Sequence, residues 1–369
     1  MTKVFWCKNC LNMSTRPRIE FDSRGVCNAC NWVKEKKKIN WSKRIKIFKK
    51  LIKKTKGNPA YDCIVPCSGG KDGTYVSNKI RELGYNPLTV TIRPHLESEL
   101  GKINLENFVK INSFAHYHIS IPYNIVKEFN KFGLVYKGSP YYGWLIGMQS
   151  AVIRLALDMN IGLIIWGEDG ELEYGGTTKN KNTTEFDISY LINEKIEGDY
   201  KKFLNKSKFK EKDLHLIKFP SSNEIKSKRL KLTHWSYFEN WDPYRNYMFA
   251  KKNSKLGEAK VGNVGTFTNF AQNDQELYNL HAYFMYIKFG FGRATQDAGI
   301  EIRRGAMTRE QGKNLVKLYD ASYPKKFLDA YLNYFQLTEN QFNKIIDKWV
   351  NKKLFKKTKS GWKAKFKII

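Results

Sequence analysis

The chain has no cysteine beyond Cys67, no apolar run long enough to cross a bilayer and few acidic residues for its size. A membrane-spanning helix needs about 18 or more consecutive apolar residues, so a membrane span is not expected. Met1-Thr2-Lys3 leads into a polar, cysteine-bearing segment with no apolar h-region, so no secretory leader is read and a cytoplasmic protein is expected. A Walker A spacing is missing, as are a G-x-C-x-G nucleophile elbow and internal repeats. With the elbow absent and Thr2 rather than cysteine after Met1, no glutaminase nucleophile of its own is expected. Against 35 acidic residues stand 65 lysines and arginines, a net charge of +30. Such a balance raises a nucleic-acid partner, because neutralising phosphates drives that binding. The lysines, however, are spread over many segments without aromatic interleaving, which reads as a solvated surface, and no nucleic acid is expected. The charge would still steer anionic substrates.

What is present is enough for a sizeable core: 369 residues, 41% hydrophobic and 14% aromatic. Residues 1–40 hold Cys7-x-x-Cys10 and Cys27-x-x-Cys30, and four thiolates so spaced fit a closed tetrahedral Zn²⁺ site. Residues 41–57 read as a helical linker with Ile45, Phe48, Leu51 and Ile52 on one face. From 58 to 200 strands alternate with helices: Tyr61 to Pro66, Leu88 to Ile92, His116 to Ile121 and Ile161 to Trp166 are the strands. This alternation predicts an α/β fold, a parallel sheet with helices on both faces. The polar, lysine-rich stretch from Asn180 to Lys231 reads as an insertion or lid, and 201–369 as a mostly helical region for substrate or partner binding.

The most informative stretch is Ser68-Gly69-Gly70-Lys71-Asp72-Gly73-Thr74, set between a strand and a helix. Glycines there let main-chain N–H groups and the positive helix end approach an anion. Ser68 adds a donor, Lys71 offsets charge, and Asp72 can hold Mg²⁺ directly or through water. The loop resembles the SGGxDS signature of the PP-loop ATP pyrophosphatases (HUP-like fold), with Gly73 where serine is commonest. That resemblance implies ATP cleavage between the α and β phosphates. It also implies a nucleotide lying along Val90 to Arg93, with Thr91 among the ATP-binding residues.

Two families join a cysteine knuckle to such a loop. The tRNA thiolases use cysteines downstream of the loop, and this chain has none after Cys67; a tRNA-modifying enzyme is therefore the alternative reading. A non-catalytic nucleic-acid-binding protein is a third. The chain resembles more extensively the N-acetyl sugar amidotransferases of the WbpG and PseA type. The resemblance runs through Arg16-Pro17-Arg18-Ile19, the loop, Trp166-Gly167-Glu168-Asp169, Glu173-Tyr174-Gly175-Gly176 and Lys288 to Thr295, with Ile302-Arg303. It implies a reaction of surface-polysaccharide or nonulosonic acid (pseudaminic acid, flagellin glycan) biosynthesis. ATP would activate the oxygen of an N-acetyl group on a nucleotide-activated sugar, and ammonia from a separate glutaminase subunit would then make an acetamidino group. Asp72, Lys71, Glu168 and Glu173 are the expected catalytic residues. Tyr174, Gly175, Gly176, Lys288, Arg293 and Arg303 are expected to bind substrate, and ATP, Mg²⁺ and Zn²⁺ are the expected cofactors.

Overall fold

The computed structural model describes residues 4–198, 200–359 and 361–368; Met1 to Lys3, read above for the missing leader, lie outside them. Five short apolar segments pair in parallel: β1 (Cys63–Pro66), β2 (Pro87–Ile92), β3 (His116–Ile119), β4 (Leu163–Trp166) and β5 (Lys231–His234). Their order across the sheet is β3-β2-β1-β4-β5. The sheet grows one way from β1 to β2 and β3, then the other way to β4 and β5. The carboxyl ends of β1 and β4 therefore flank the switch point where open α/β sheets take their ligands.

Strand periodicity sorts the side chains onto two covered faces. Ile64, Leu88, Val90, Ile92, Ile164 and Leu232 bury against Tyr123–Lys137 and Tyr142–Asp158. Cys63, Val65, Leu163 and Ile165 bury on the opposite face against Trp41–Lys54, Lys71–Glu82 and Trp235, Phe238 and Trp241. In chain order the helices are α1 (Asn28–Lys36), α2 (Trp41–Lys54), α3 (Lys71–Glu82), α4 (Glu99–Asn112), α5 (Tyr123–Lys137), α6 (Tyr142–Asp158) and α7 (Gly170–Tyr174). There follow α8 (Ile188–Tyr190), α9 (Tyr200–Lys206), α10 (Ser222–Ser227), α11 (Pro243–Ser254), α12 (Leu277–Phe289) and α13 (Arg293–Arg304). Last come α14 (Arg309–Tyr319), α15 (Leu328–Phe335), α16 (Glu339–Trp349) and the antiparallel hairpin of β6 (Phe355–Thr358) and β7 (Gly361–Ala364).

Two expectations about organisation change. The stretch 41–57 is not a linker: Phe48, Leu51 and Ile52 of α2 are buried on the sheet, and Arg44 donates to the Tyr237 carbonyl at 2.9 Å. The α/β unit does not end near residue 200, because β5 completes the sheet at 231–234. The lysine-rich excursion before it is no simple lid. Its Ile188, Leu191, Ile196, Tyr200, Phe203 and Ile217 bury in the same core as α5 and α6. Beyond it the chain is helical as expected. α12, α15, α16 and the hairpin share a core of Leu280, Phe284, Tyr331, Phe335, Phe342 and Phe355.

No helix among the described residues is long and apolar enough to cross a membrane.

Candidate active site

β1 ends at Pro66 and α3 starts at Lys71, so four residues make the turn. Gly69 sits at φ +77°, and a Cβ there would lie 2.4 Å from the Leu105 Cα of α4. Positive φ and backbone contact both require glycine. Gly70 caps α3 with extended backbone and no side-chain hydrogen bond, which leaves the first N–H groups of the helix for a ligand. Gly73 is equally constrained: a Cβ would come within 2.7 Å of Cys67 Sγ and 2.9 Å of its Cα. Cys67 occupies the volume where the more usual serine would stand.

Ser68, Gly70, Lys71, Asp72 and Gly73 line a cavity of about 320 Å³. Thr74 is fully buried and Thr91 nearly so, and neither lines it. The Thr91 hydroxyl donates to the Cys67 carbonyl, which holds the loop from behind. The end of β2 does not border this cavity, and Arg93 pairs with Glu97 at 3.1 Å. Thr91 and the Val90 to Arg93 edge therefore stand as supports rather than cavity walls.

Two carboxylates enter from neighbouring strand ends. Asp72 Oδ1 accepts from Asn246 Nδ2 at 2.9 Å, and its other oxygen is held by the Lys71 ammonium. Glu168, just past β4, accepts from the Tyr174 hydroxyl at 2.8 Å. Burial first, and then the charge of Asp72, pushes the Glu168 carboxyl above the ordinary range, while Lys71 and the Tyr174 hydrogen bond oppose that rise. Mutually repelling carboxylates beside a glycine turn at a helix N-terminus are the hard oxygen set that suits Mg²⁺. Asp72 and Glu168 would hold that ion, which would supply charge neutralisation for the polyphosphate.

The C-terminal region closes the cavity with Tyr278, Arg293 and Gln296, and the segment before it contributes Phe270 to Asp274. Burial lifts the Asp274 carboxyl to about 6. A second cavity of about 310 Å³ shares Tyr174 and Gln296 with the first, and Arg16, Lys195, His281 and Lys288 line it. The Lys288 ammonium donates to the Lys137 carbonyl at 2.8 Å. His281 has a buried Nδ1 without a partner, and burial holds the ring down to about 3. Burial also pulls the Arg16 guanidinium down to about 10, and it lies 5.5 Å from the Phe291 ring.

Cys7, Cys10, Cys27 and Cys30 are buried with all four Sγ atoms within 4.8 Å of one another. A Zn²⁺ with Zn–S near 2.3 Å requires sulfur separations of about 3.8 Å. Cys7 to Cys30 is 3.9 Å and Cys10 to Cys27 is 3.7 Å, so the four sulfurs fit zinc. Backbone N–H groups of Cys10 and Cys27 point at Cys7 Sγ at 3.5 and 3.2 Å, which favours thiolate.

This knuckle accounts for several residues expected at the chemistry. Glu173 does not reach the loop cavity, because its carboxylate receives the Trp32 indole N–H at 2.9 Å and the Lys36 ammonium at 2.8 Å. Arg303 is half-buried beside the thiolates and donates to the Glu173 carbonyl at 3.0 Å. Gly175 lies at φ +95° against Asn12, and the Gly176 carbonyl receives the Asn28 amide at 2.5 Å. Of these residues, Gly176 alone lines the second cavity. The structure thus brings Asp72, Lys71, Glu168, Tyr174 and Arg293 together and leaves Glu173, Gly175 and Arg303 as the seat of the knuckle. Asn246, Asp274, Tyr278 and Gln296 complete the site. Only Gln296, one residue beyond the Lys288 to Thr295 block, stood near a motif.

No curated protein matches the chain. One solved structure, titled as a predicted subunit of a tRNA methyltransferase from Methanocaldococcus jannaschii, is 14% identical with a TM-score of 0.29. It covers 60% of this chain and 85% of its own, a likeness too loose to bear on fold or activity. Residues 264–368 match a family model described as the C-terminal domain of WbpG-like LPS biosynthesis proteins. The segment that carries Tyr278, Arg293 and Gln296 to the loop cavity is thus similar to the WbpG-like C-terminal domain.

Proposed function

We propose that the protein is an ATP-dependent amidotransferase that converts the N-acetyl group of a sugar into an acetamidino group. The observation that carries this reading is the meeting of two cavities at Tyr174 and Gln296, one on the SGGKD turn and one beside it. ATP fits the first, with its phosphates on the main-chain N–H groups before α3 and near Lys71. The sugar, nucleotide-activated, fits the second, where Arg16 and Lys288 offer donors and cationic charge and His281 a neutral ring. An acetamide oxygen presented past Tyr174 attacks the α-phosphorus, and pyrophosphate departs with its bonding electrons. Ammonia then adds at the imidate carbon, loses a proton to solvent, and AMP leaves with the former acetamide oxygen. The oxygen of an amide is a poor leaving group and AMP a good one, so ATP makes the exchange possible. The chain's contribution is orientation and charge neutralisation rather than covalent catalysis.

Ammonia is proposed to come from a separate glutaminase subunit. The WbpG-like domain supports surface-polysaccharide or pseudaminic acid synthesis as the setting, in the cytoplasm. The alternative, a thiolase-like tRNA-modifying enzyme, needs a reactive sulfur near the loop. Among the described residues only Cys67 lines that cavity, and burial pushes its thiol up to about 12. Such a thiol is a poor nucleophile at neutral pH.

The test is mass spectrometry of candidate N-acetyl sugars incubated with ATP, Mg²⁺ and an ammonium salt. The expected product is lighter by about one mass unit, the exchange of oxygen for NH that follows from acyl activation and amination. It should appear in step with AMP and pyrophosphate. Formation of ADP in place of AMP would overturn the reading.

A further inference from the structure

We infer that Arg293 is a phosphate clamp supplied by the C-terminal domain, gripping the pyrophosphate end of ATP from the wall facing the SGGKD turn, and that Asp297 sets its direction. The inference rests on the nucleotide reading above and deepens it.

The start of α13 is fixed before any ligand arrives. The buried Asp320 carboxylate receives the N–H groups of Gly292 at 2.8 Å and Thr295 at 3.0 Å, and the Thr295 hydroxyl as well. Arg293 is the first residue of that helix, and its Nε lies 2.8 Å from Asp297 Oδ1 one turn on. The other oxygen of Asp297 accepts from the Thr266 hydroxyl at 2.6 Å and the Thr268 hydroxyl at 2.9 Å. With 4% of its side chain exposed, Asp297 has neither room nor spare partners to swing away.

This pair engages only the Nε edge of the guanidinium. The terminal nitrogens of Arg293 have no hydrogen-bond partner among the described residues, although the side chain is only 15% exposed and lines the phosphate cavity. A half-used, largely buried guanidinium opposite a helix N-terminus is a recognition fork for phosphate oxygens. Arg293 borders the loop cavity and not the second one, which separates it from the sugar. The α-phosphorus must face the shared boundary at Tyr174, so Arg293 falls to the β and γ phosphates.

The experiment is calorimetric binding of Mg·ATP and of AMP to wild type, Arg293→Gln, Arg293→Lys and Asp297→Asn. Losing charge-assisted hydrogen bonds should weaken ATP roughly 10- to 100-fold in Arg293→Gln. AMP affinity should not move, Arg293→Lys should recover part of the loss, and Asp297→Asn should show a smaller loss confined to ATP. Should Arg293→Gln fail to fold, the charge-preserving lysine variant decides alone, by an ATP-specific loss or none. Wild-type ATP affinity in the arginine variants, or equal losses for ATP and AMP, would overturn the clamp and leave Arg293–Asp297 a structural pair. Failure of the unaltered protein to bind either nucleotide would instead sink the nucleotide reading, and the clamp with it.

Discussion

The Tyr174 hydroxyl donates to Glu168 Oε1 at 2.8 Å, and the same residue's carbonyl receives the Asn12 amide of the cysteine knuckle at 3.0 Å. One tyrosine thus joins the zinc-type knuckle to a carboxylate beside the SGGKD turn. Its hydrogen bond favours the ionised form of Glu168 against burial and against Asp72. Tyr174→Phe should therefore raise the Glu168 pKa further. At a fixed neutral pH less carboxylate is available to Mg²⁺, so pyrophosphate release should fall, by about tenfold for one lost charge-assisted bond. It should recover as pH rises. A pH–rate profile whose acid limb stays in place in the variant contradicts this role.

Gly73 and Cys67 compete for one space. Adding a methyl at Gly73→Ala should cost about 1–3 kcal/mol by overpacking. The close atoms include Cys67 Sγ and Cβ but also its Cα, so Cys67→Ala in the same chain should restore only part of the loss. Urea unfolding of the two single variants and the double variant measures the coupling. Simple additivity would show that the two residues do not share the space.

The knuckle should carry about one zinc per chain, as expected of four buried thiolates. Because Asn12 and Asn28 bond the carbonyls of Tyr174 and Gly176, removing the metal should loosen α7 and reach the cavity. Cys10→Ser, or chelation, should lower the melting temperature and ATP turnover together. Metal analysis with parallel melting curves checks this; full ATP turnover in zinc-free protein would detach the knuckle from the site.

His234 lies buried at the end of β5, stacked on Phe186 at 4.4 Å, and burial holds its pKa down to about 4. The folded value is below the unfolded one of about 6.5. The stability linked to the neutral ring is therefore complete above pH ~6.5 and is lost as pH falls toward 4, at up to about 1.4 kcal/mol per pH unit. Urea unfolding between pH 7 and 5 should show a shallower pH slope in His234→Gln. Identical slopes would mean that His234 titrates normally.

Much of this was legible in the residues because the signals were local. A strand, two glycines and a helix start within a dozen positions announce an anion site, and the spacing of Cys7, Cys10, Cys27 and Cys30 announces a metal. What the linear pattern did not show is set by long-range packing. Glu173 stands in the same block as Tyr174, yet α7 turns its carboxylate toward Trp32 and Lys36 while the Tyr174 ring turns to Glu168. Nothing in a linear pattern separates neighbours that face opposite ways on a five-residue helix. β5 was hidden for another reason: Lys231-Leu232-Thr233-His234 is four residues long, polar at both ends and at the sheet edge. Asn246 and Gln296 reach the site only through the packing of α11 and α13, which no spacing rule encodes.

Following one oxygen atom puts the attack on the α-phosphorus to a direct test. A sugar that turns over would be prepared with ¹⁸O in its acetamide carbonyl and incubated with ATP, Mg²⁺ and ammonium, and the phosphorus NMR spectrum of the products recorded. Attack on the α-phosphorus predicts that the label emerges in the phosphate of AMP, with pyrophosphate unlabelled. Label in inorganic phosphate, or its retention in the sugar while ATP is consumed, would contradict it.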